Sequence, residues 1–222
     1  MRTRTRALAI ASSLALCSLL AQAQSRPSHE WLTWGGDIER TGWNRAESAL
    51  SKKTVGQLTL KWKTRIDAQV PIDIESGASM LTGPLVAQGV RTPRGTKTLV
   101  YTLSSSNTAS ALDAGTGAVV WQRKIENIVE PANPANWLCT NTSTATPVID
   151  KASGTIYMIA ADGRLYGMDL ATGERKMTAE FTPPYSRNWS LNLVDGFLYT
   201  TAGRGCGNIR AEEIGHNTAC LH

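Results

Sequence analysis

Residues Ala111–Trp121 read ALDAGTGAVVW, and residues Gly167–Met177 read GMDLATGERKM, the same pattern 56 residues later. In each copy an aspartate (Asp113, Asp169) precedes a Thr-Gly pair. A carboxylate at that place accepts the N–H groups of a tight turn, and Gly117 or Gly173 takes the positive φ that closes it. The small residue ahead of the aspartate, Ala111 or Gly167, lets a neighbouring sheet come close. Trp121 ends the first copy with a large flat face for stacking on the next unit. The second copy carries Met177 there, which predicts a weaker or different contact.

The strand before the motif repeats as well. LVYTLSSSNTASALD (99–113) stands beside IYMIAADGRLYGMD (156–169), and a third copy begins at DGFLYTTAGRG, Asp195–Gly205. Tyr199 of that copy follows Tyr157 by 42 residues, and most of the difference in spacing lies in Ile125–Ser143. Unequal spacing fits one supersecondary unit with variable loops. Units of about 40–50 residues built from short strands are propeller blades.

Alternating apolar and polar residues bounded by Gly, Asn, Asp or Pro predict strands at Leu81–Gln88, Lys97–Leu103, Ala118–Lys124, Ala145–Ile149, Thr155–Ala160 and Arg164–Asp169. Three more are predicted at Arg175–Phe181, Ser190–Val194 and Phe197–Thr201. Leu58–Ile66 (LTLKWKTRI) also alternates and predicts a half-buried strand. Before it lies an aromatic lead-in with Trp31, Trp34 and Trp43, turned by Gly35, Gly36 and Gly42, then a polar stretch, Ala46–Gln57, suited to a short helix or turn. The expected class is all-β.

The 222 residues are 41% hydrophobic and 18% charged, with seven Trp and two Phe, as suits a globular chain. The net charge of +5 includes Arg2, Arg4 and Arg6; without these three, 20 basic residues face 18 acidic ones. No Lys/Arg run remains to neutralise phosphates, so a nucleic-acid partner is not expected. Basic MRTRTR, the apolar run Ala7–Ala21 and the small-x-small Ala21-Gln22-Ala23 read as a secretory signal peptide over 1–23. The run is short for the roughly twenty residues that span a bilayer. Residues 24–222 are then an exported domain, periplasmic or secreted, with no later transmembrane segment.

Export permits disulfides. Cys139, Cys206 and Cys220 remain after the leader, and Cys206 with Cys220 is the closer pair. His216, Cys220 and His222 form an H-x3-C-x-H cluster without a partner cluster, read as a loop and not as a zinc site.

The docking repeat, together with the opening W-x-x-W-G-G-D…R-T-G-W-N-x-A-E…V-x-x-L-x-x-x-W, resembles the quinoprotein dehydrogenases, whose propellers bind pyrroloquinoline quinone (PQQ). The likeness runs from about Trp31 to Thr201. Related propellers without a quinone, including the outer-membrane assembly lipoprotein, use the same repeat. The resemblance implies PQQ and calcium in a complete protein, held on the axis by carboxylate and amide side chains above a tryptophan, with an aspartate as base. Adjacent cysteines often form a lid in those enzymes, and this chain has no such pair.

Gly77–His222 holds enough chain for about three blades of roughly 45 residues, whereas closed propellers have about four to eight. The expectation is therefore an incomplete quinoprotein-like propeller, the N-terminal part of a longer protein, binding no PQQ by itself. Two functions follow. One is part of a PQQ-dependent dehydrogenase oxidising alcohols or sugars; the other is a non-catalytic scaffold binding envelope proteins or polysaccharide. Neither the catalytic residues nor the quinone and calcium ligands are placed by any motif. The Pro/Asn-rich insertion Asn127–Ser143, with Glu130, Asn136, Trp137 and Cys139, is the best local candidate for a site, since long loops at one end of a propeller often carry function. Asn188-Trp189-Ser190 is a second mouth-facing segment. For both, plain packing is the more common role of a tryptophan.

Overall fold

A computed structural model describes residues 29–66, 81–131, 142–143 and 145–203, and the backbone of 216–220. The chain is all-β. Among the described residues twelve strands form three antiparallel sheets. The first runs β1 (Leu85–Thr92), β2 (Gly95–Leu103), β3 (Thr108–Asp113), β4 (Val119–Lys124), and the second β5 (Val148–Asp150), β6 (Thr155–Ile159), β7 (Arg164–Asp169), β8 (Arg175–Glu180). In the third, β10 (Asn192–Val194), β11 (Phe197–Gly203) and β12 (His216–Cys220) follow in order, and the two-residue β9 (Arg187–Asn188) pairs with the far end of β11. These are three successive blades of a propeller.

Several expectations shift. The strand expected at Leu81–Gln88 begins four residues later, because Leu81 makes only an isolated bridge to Ser104. Strand β3 had no separate expectation: its residues Thr108–Leu112 are all buried, so no polar face marks the period. Residues 58–66, expected as a strand, enter no ladder among the described residues. Ala46–Gln57 holds turns and one 3-10 turn, Val55–Gln57. His216–Cys220, read as a loop, is strand β12 paired to β11, with His216 opposite Thr201.

The aspartate turn is the same in both copies. The Asp113 carboxylate accepts the Gly115 N–H at 2.8 Å, and Gly117 N–H returns to the Asp113 carbonyl at 2.7 Å. The Asp169 carboxylate accepts Ala171 and Thr172 N–H at 2.9 and 3.0 Å, and Gly173 N–H returns to the Asp169 carbonyl at 2.9 Å. Gly117 and Gly173 have φ of 73° and 68°. Each turn then receives a tryptophan. A methyl group on Gly117 would lie 2.6 Å from the Trp62 ring, and one on Gly173 2.6 Å from the Trp121 ring. Trp62 Nε1 donates to the Ala114 carbonyl at 3.0 Å; Trp121 Nε1 donates to that of Leu170 at 2.9 Å.

The core therefore lies between sheets. One cluster joins Leu85, Tyr101, Ala111 and Trp121 of the first sheet to Met158 and Met168 of the second. A second joins Val148, Ile159 and Leu165 to Leu191 and Leu198 of the third. Met177 differs from Trp121: it folds inward over Gly167, whose added methyl would meet Met177 Cγ at 2.7 Å, and packs beside the second cluster.

Candidate functional site

The lead-in crosses the innermost strand of each blade. Trp31 exchanges two backbone hydrogen bonds with Val86 of β1, at 2.8 and 2.9 Å. The next carbonyl, Leu32, accepts from Ile149 N–H of β5 at 2.8 Å, and Thr33 Oγ1 donates to the Leu191 carbonyl beside β10 at 3.3 Å. Three consecutive residues thus bind three consecutive blades. Gly35 and Gly36 (φ 80° and 88°) turn the chain back, and Gly42 N–H closes the turn on the Gly35 carbonyl at 2.8 Å. That reversal brings Arg40 home. Its guanidinium donates to the Ser190 carbonyl at 2.8 Å and to Asn192 Oδ1 at 3.2 Å, and lies 5.6 Å from the Trp34 ring.

A cleft of about 370 Å³ opens beside this arginine. Its wall is built from the residues that lead into each innermost strand: Thr82-Gly83 before β1, Ser143 and Thr146 before β5, Asn188-Trp189-Ser190 before β10. The site therefore lies where the innermost strands begin, at one end of the propeller axis. Hydrogen bonds hold these entries in line. Gly83 N–H donates to Thr146 Oγ1 at 3.2 Å, and Leu191 N–H to the Thr146 carbonyl at 3.0 Å.

Two tryptophans edge the cleft, Trp34 at 48% and Trp189 at 67% exposure. The Trp189 backbone is fixed on both sides, its N–H to the Thr201 carbonyl at 3.0 Å and its carbonyl accepting Thr200 Oγ1 at 2.6 Å. Its ring is thus presented from a rigid frame. Ser143 is buried, and its hydroxyl has no hydrogen-bond partner among the described residues. Asn188 is buried and accepts from Ser186 Oγ at 2.9 Å. Arg40 is the single charged residue of the lining, and no carboxylate is among the described residues there.

Of the sequence candidates, Asn188, Trp189 and Ser190 come to this cleft. Asn136, Trp137, Cys139, Cys206 and His222 lie outside the described residues. The insertion reaches the cleft with its last residue, Ser143, whereas exposed Glu130 lies near its start, which is anchored elsewhere: Ile128 N–H donates to buried Asp162 at 2.9 Å, and the Tyr185 hydroxyl donates to the Val129 carbonyl. Burial first, then the charges of Asp162 and Glu130, push the Tyr185 phenol up to about 12, so it stays a neutral donor. Ala111, Asp113, Gly117, Trp121, Gly167, Asp169 and Gly173 lie at the blade interfaces and not in the cleft. Sequence reasoning missed Arg40 and Trp34 as site residues. The Gly35-Gly36 turn is written in the sequence, but not which distant strand the reversed chain meets.

Among the described residues no group of His, Cys, Asp and Glu is placed to hold a metal ion, and no helix is long and apolar enough to cross a membrane.

The family model described as Outer membrane protein assembly factor BamB matches residues 34–205. Quinohemoprotein alcohol dehydrogenase ADH-IIG of Pseudomonas putida is 22% identical over 169 residues, 76% of this chain and 20% of its own length. The dehydrogenase subunit of the quinone alcohol dehydrogenase of Komagataeibacter europaeus is 24% identical over 165 residues, 74% of this chain and 19% of its own. The chain spans about a fifth of the length of these curated relatives. The solved quinohemoprotein alcohol dehydrogenase ADHIIG of Pseudomonas putida HK5 matches with a TM-score of 0.54 at 18% identity, over 84% of this chain and 24% of that one. That of Comamonas testosteroni gives 0.51 at 19% identity, over 84% and 25%. These structural likenesses support the propeller fold.

Proposed function

Because the chain belongs to the outer membrane protein assembly factor BamB family of PQQ-type propeller repeats, we propose that it forms an arc of an exported propeller whose axial cleft binds a polyhydroxylated ligand, a sugar or a polysaccharide end. The observation that carries this reading is the lining itself: two exposed indoles, hydroxyl and amide side chains, one arginine and no carboxylate. Indoles stack on the apolar faces of pyranose rings, and hydroxyl and amide groups pair with ring hydroxyls.

The lining suits one half of the PQQ–calcium pair found by resemblance. Arg40 and the indoles fit a flat anionic quinone. Calcium takes six to eight oxygen ligands, carboxylates prominent among them. The described lining offers neutral oxygens beside the Arg40 cation and no carboxylate, which does not fit.

A second reading rests on the dehydrogenase relatives that match about three quarters of the chain: the arc belongs to a longer PQQ-dependent enzyme oxidising alcohols or sugars. Titration of tryptophan fluorescence separates the two. The exported chain is titrated with cellotriose and maltotriose, and separately with PQQ plus calcium. Saturable saccharide quenching, weakened about tenfold by Trp189→Ala as loss of one stacking contact requires, supports the first reading. PQQ binding that needs calcium, with no saccharide response, overturns it in favour of the second.

A further inference from the structure

Arg40 enters the cleft wall from a strained backbone. Its φ is 56°, in the left-handed region that suits glycine and disfavours a long side chain. Gly35 packs hard against it: a methyl group there would meet the Arg40 α-carbon at 2.7 Å. Strain of this kind persists only where the surroundings impose it, and it gathers at sites that clamp a ligand.

The guanidinium carries five N–H donors in a rigid, planar array. Its side edge is already used: Nε donates to Asn192 Oδ1 at 3.2 Å, and Nη2 to the Ser190 carbonyl at 2.8 Å. Among the described residues nothing accepts from Nη1, and no carboxylate pairs with the charge. The insertion supplies no counter-charge either, since residues 131–149 contain no Asp or Glu. What remains is the end edge, the fork between the two Nη groups. That fork matches a carboxylate, which accepts two parallel N–H bonds from it.

The cation adjoins the stacking surfaces. Ser190, whose carbonyl holds Arg40, directly follows Trp189, and the guanidinium lies 5.6 Å from the Trp34 ring. A hexuronic acid carries both matching features on one ring: apolar C–H faces that stack on an indole, and a carboxylate on C5 at the ring edge. Resting on the saccharide reading above, we infer that the cleft selects acidic sugars, a uronate ring stacking on Trp189 while its carboxylate takes the end fork of Arg40. Neutral sugars keep the stacking and lack the ion pair. One cation balances one charge, so a uronate fits where a dianionic phosphate leaves a charge uncompensated.

Trigalacturonate and its fully methyl-esterified form share rings and linkages and differ in the charge of the carboxyl groups. Both are titrated against the tryptophan fluorescence of the exported chain. The acid is expected to bind about tenfold tighter than the ester, as one charge-assisted hydrogen bond requires. Equal affinities overturn the inference and leave the saccharide reading standing. No response to either, nor to cellotriose or maltotriose, overturns both. Arg40→Gln is expected to bring the acid and ester affinities together. If Arg40 only ties the lead-in to the third blade, that variant weakens both ligands alike and keeps their ratio, which overturns the inference. Should the variant fail to fold, the acid and ester titrations on the unaltered chain decide. Galacturonate and galactose 6-phosphate, titrated alongside, separate the two anions: tighter binding of the phosphate overturns the assignment of a carboxylate.

Discussion

The Trp121 indole packs against the α-carbon of Gly173, and its Nε1 donates to the Leu170 carbonyl at 2.9 Å. The Tyr101 hydroxyl donates to that same carbonyl at 3.0 Å, with the two rings 6.0 Å apart. One backbone oxygen of the second blade thus receives two aromatic side chains of the first. Trp121→Ala removes the larger of them and leaves a cavity between blades, at an expected cost of about 3–5 kcal/mol. Met177→Ala is expected to cost less, because Met177 is partly exposed and reaches only Gly167 and the edge of its own cluster. Denaturant titrations check this; equal losses would show that Trp121 has no special docking role.

Gly173 also separates contact from backbone strain. Gly173→Ala forces a side chain into φ 68° and into the indole, whereas Gly154→Ala meets φ 65° with nothing within 4 Å. Left-handed strain alone is of order 1–3 kcal/mol. Gly154→Ala should lose that amount and Gly173→Ala clearly more, read as the difference between their unfolding midpoints. Identical midpoints would place no tight contact at Gly173.

Asp113 ties the turn to acid stability. The Lys97 ammonium and then the Gly115 N–H hold its carboxyl below its ordinary 3.8. A carboxyl lowered in the folded state contributes stability that is present above about pH 4 and is lost as pH falls through the folded value. Asp113→Asn is expected to flatten that acid limb of the stability curve. A limb of unchanged slope in acid titrations would count against it.

Processing is expected to leave Gln24 as the first residue of the exported protein, following the small-x-small site at Ala21-Gln22-Ala23. Intact mass reads this directly. A mass that includes Met1 or any of residues 2–23 argues against cleavage there.

Cys206 and Cys220 are expected to pair after export and leave Cys139 free, provided their α-carbons come within about 7 Å. Labelling of the exported chain with a thiol reagent should then add one adduct. Three adducts would end this expectation.

The sequence by itself determined the class, the repeat and the turn that defines it. The turn bonds of Asp113, Gly117, Asp169 and Gly173 stay within five residues, so the turn itself is written locally. Strand β7, Arg164–Asp169, was legible to the residue because an aspartate turn ends it and a glycine turn at Gly163 begins it. Strand β3 was not, since burial on both faces removes the alternation that marks a strand.

Only the tertiary structure decided where the candidate site lies and where residues 58–66 dock. Arg40 and Ser190 are 150 positions apart, and nothing in either local pattern signals that the Gly35-Gly36 reversal brings them to 2.8 Å. Leu58–Ile66 alternates as a strand does, yet a ladder needs a partner, and none among the described residues reaches it. Local periodicity sets which residues can pair. Whether they do depends on which distant strands the fold carries beside them.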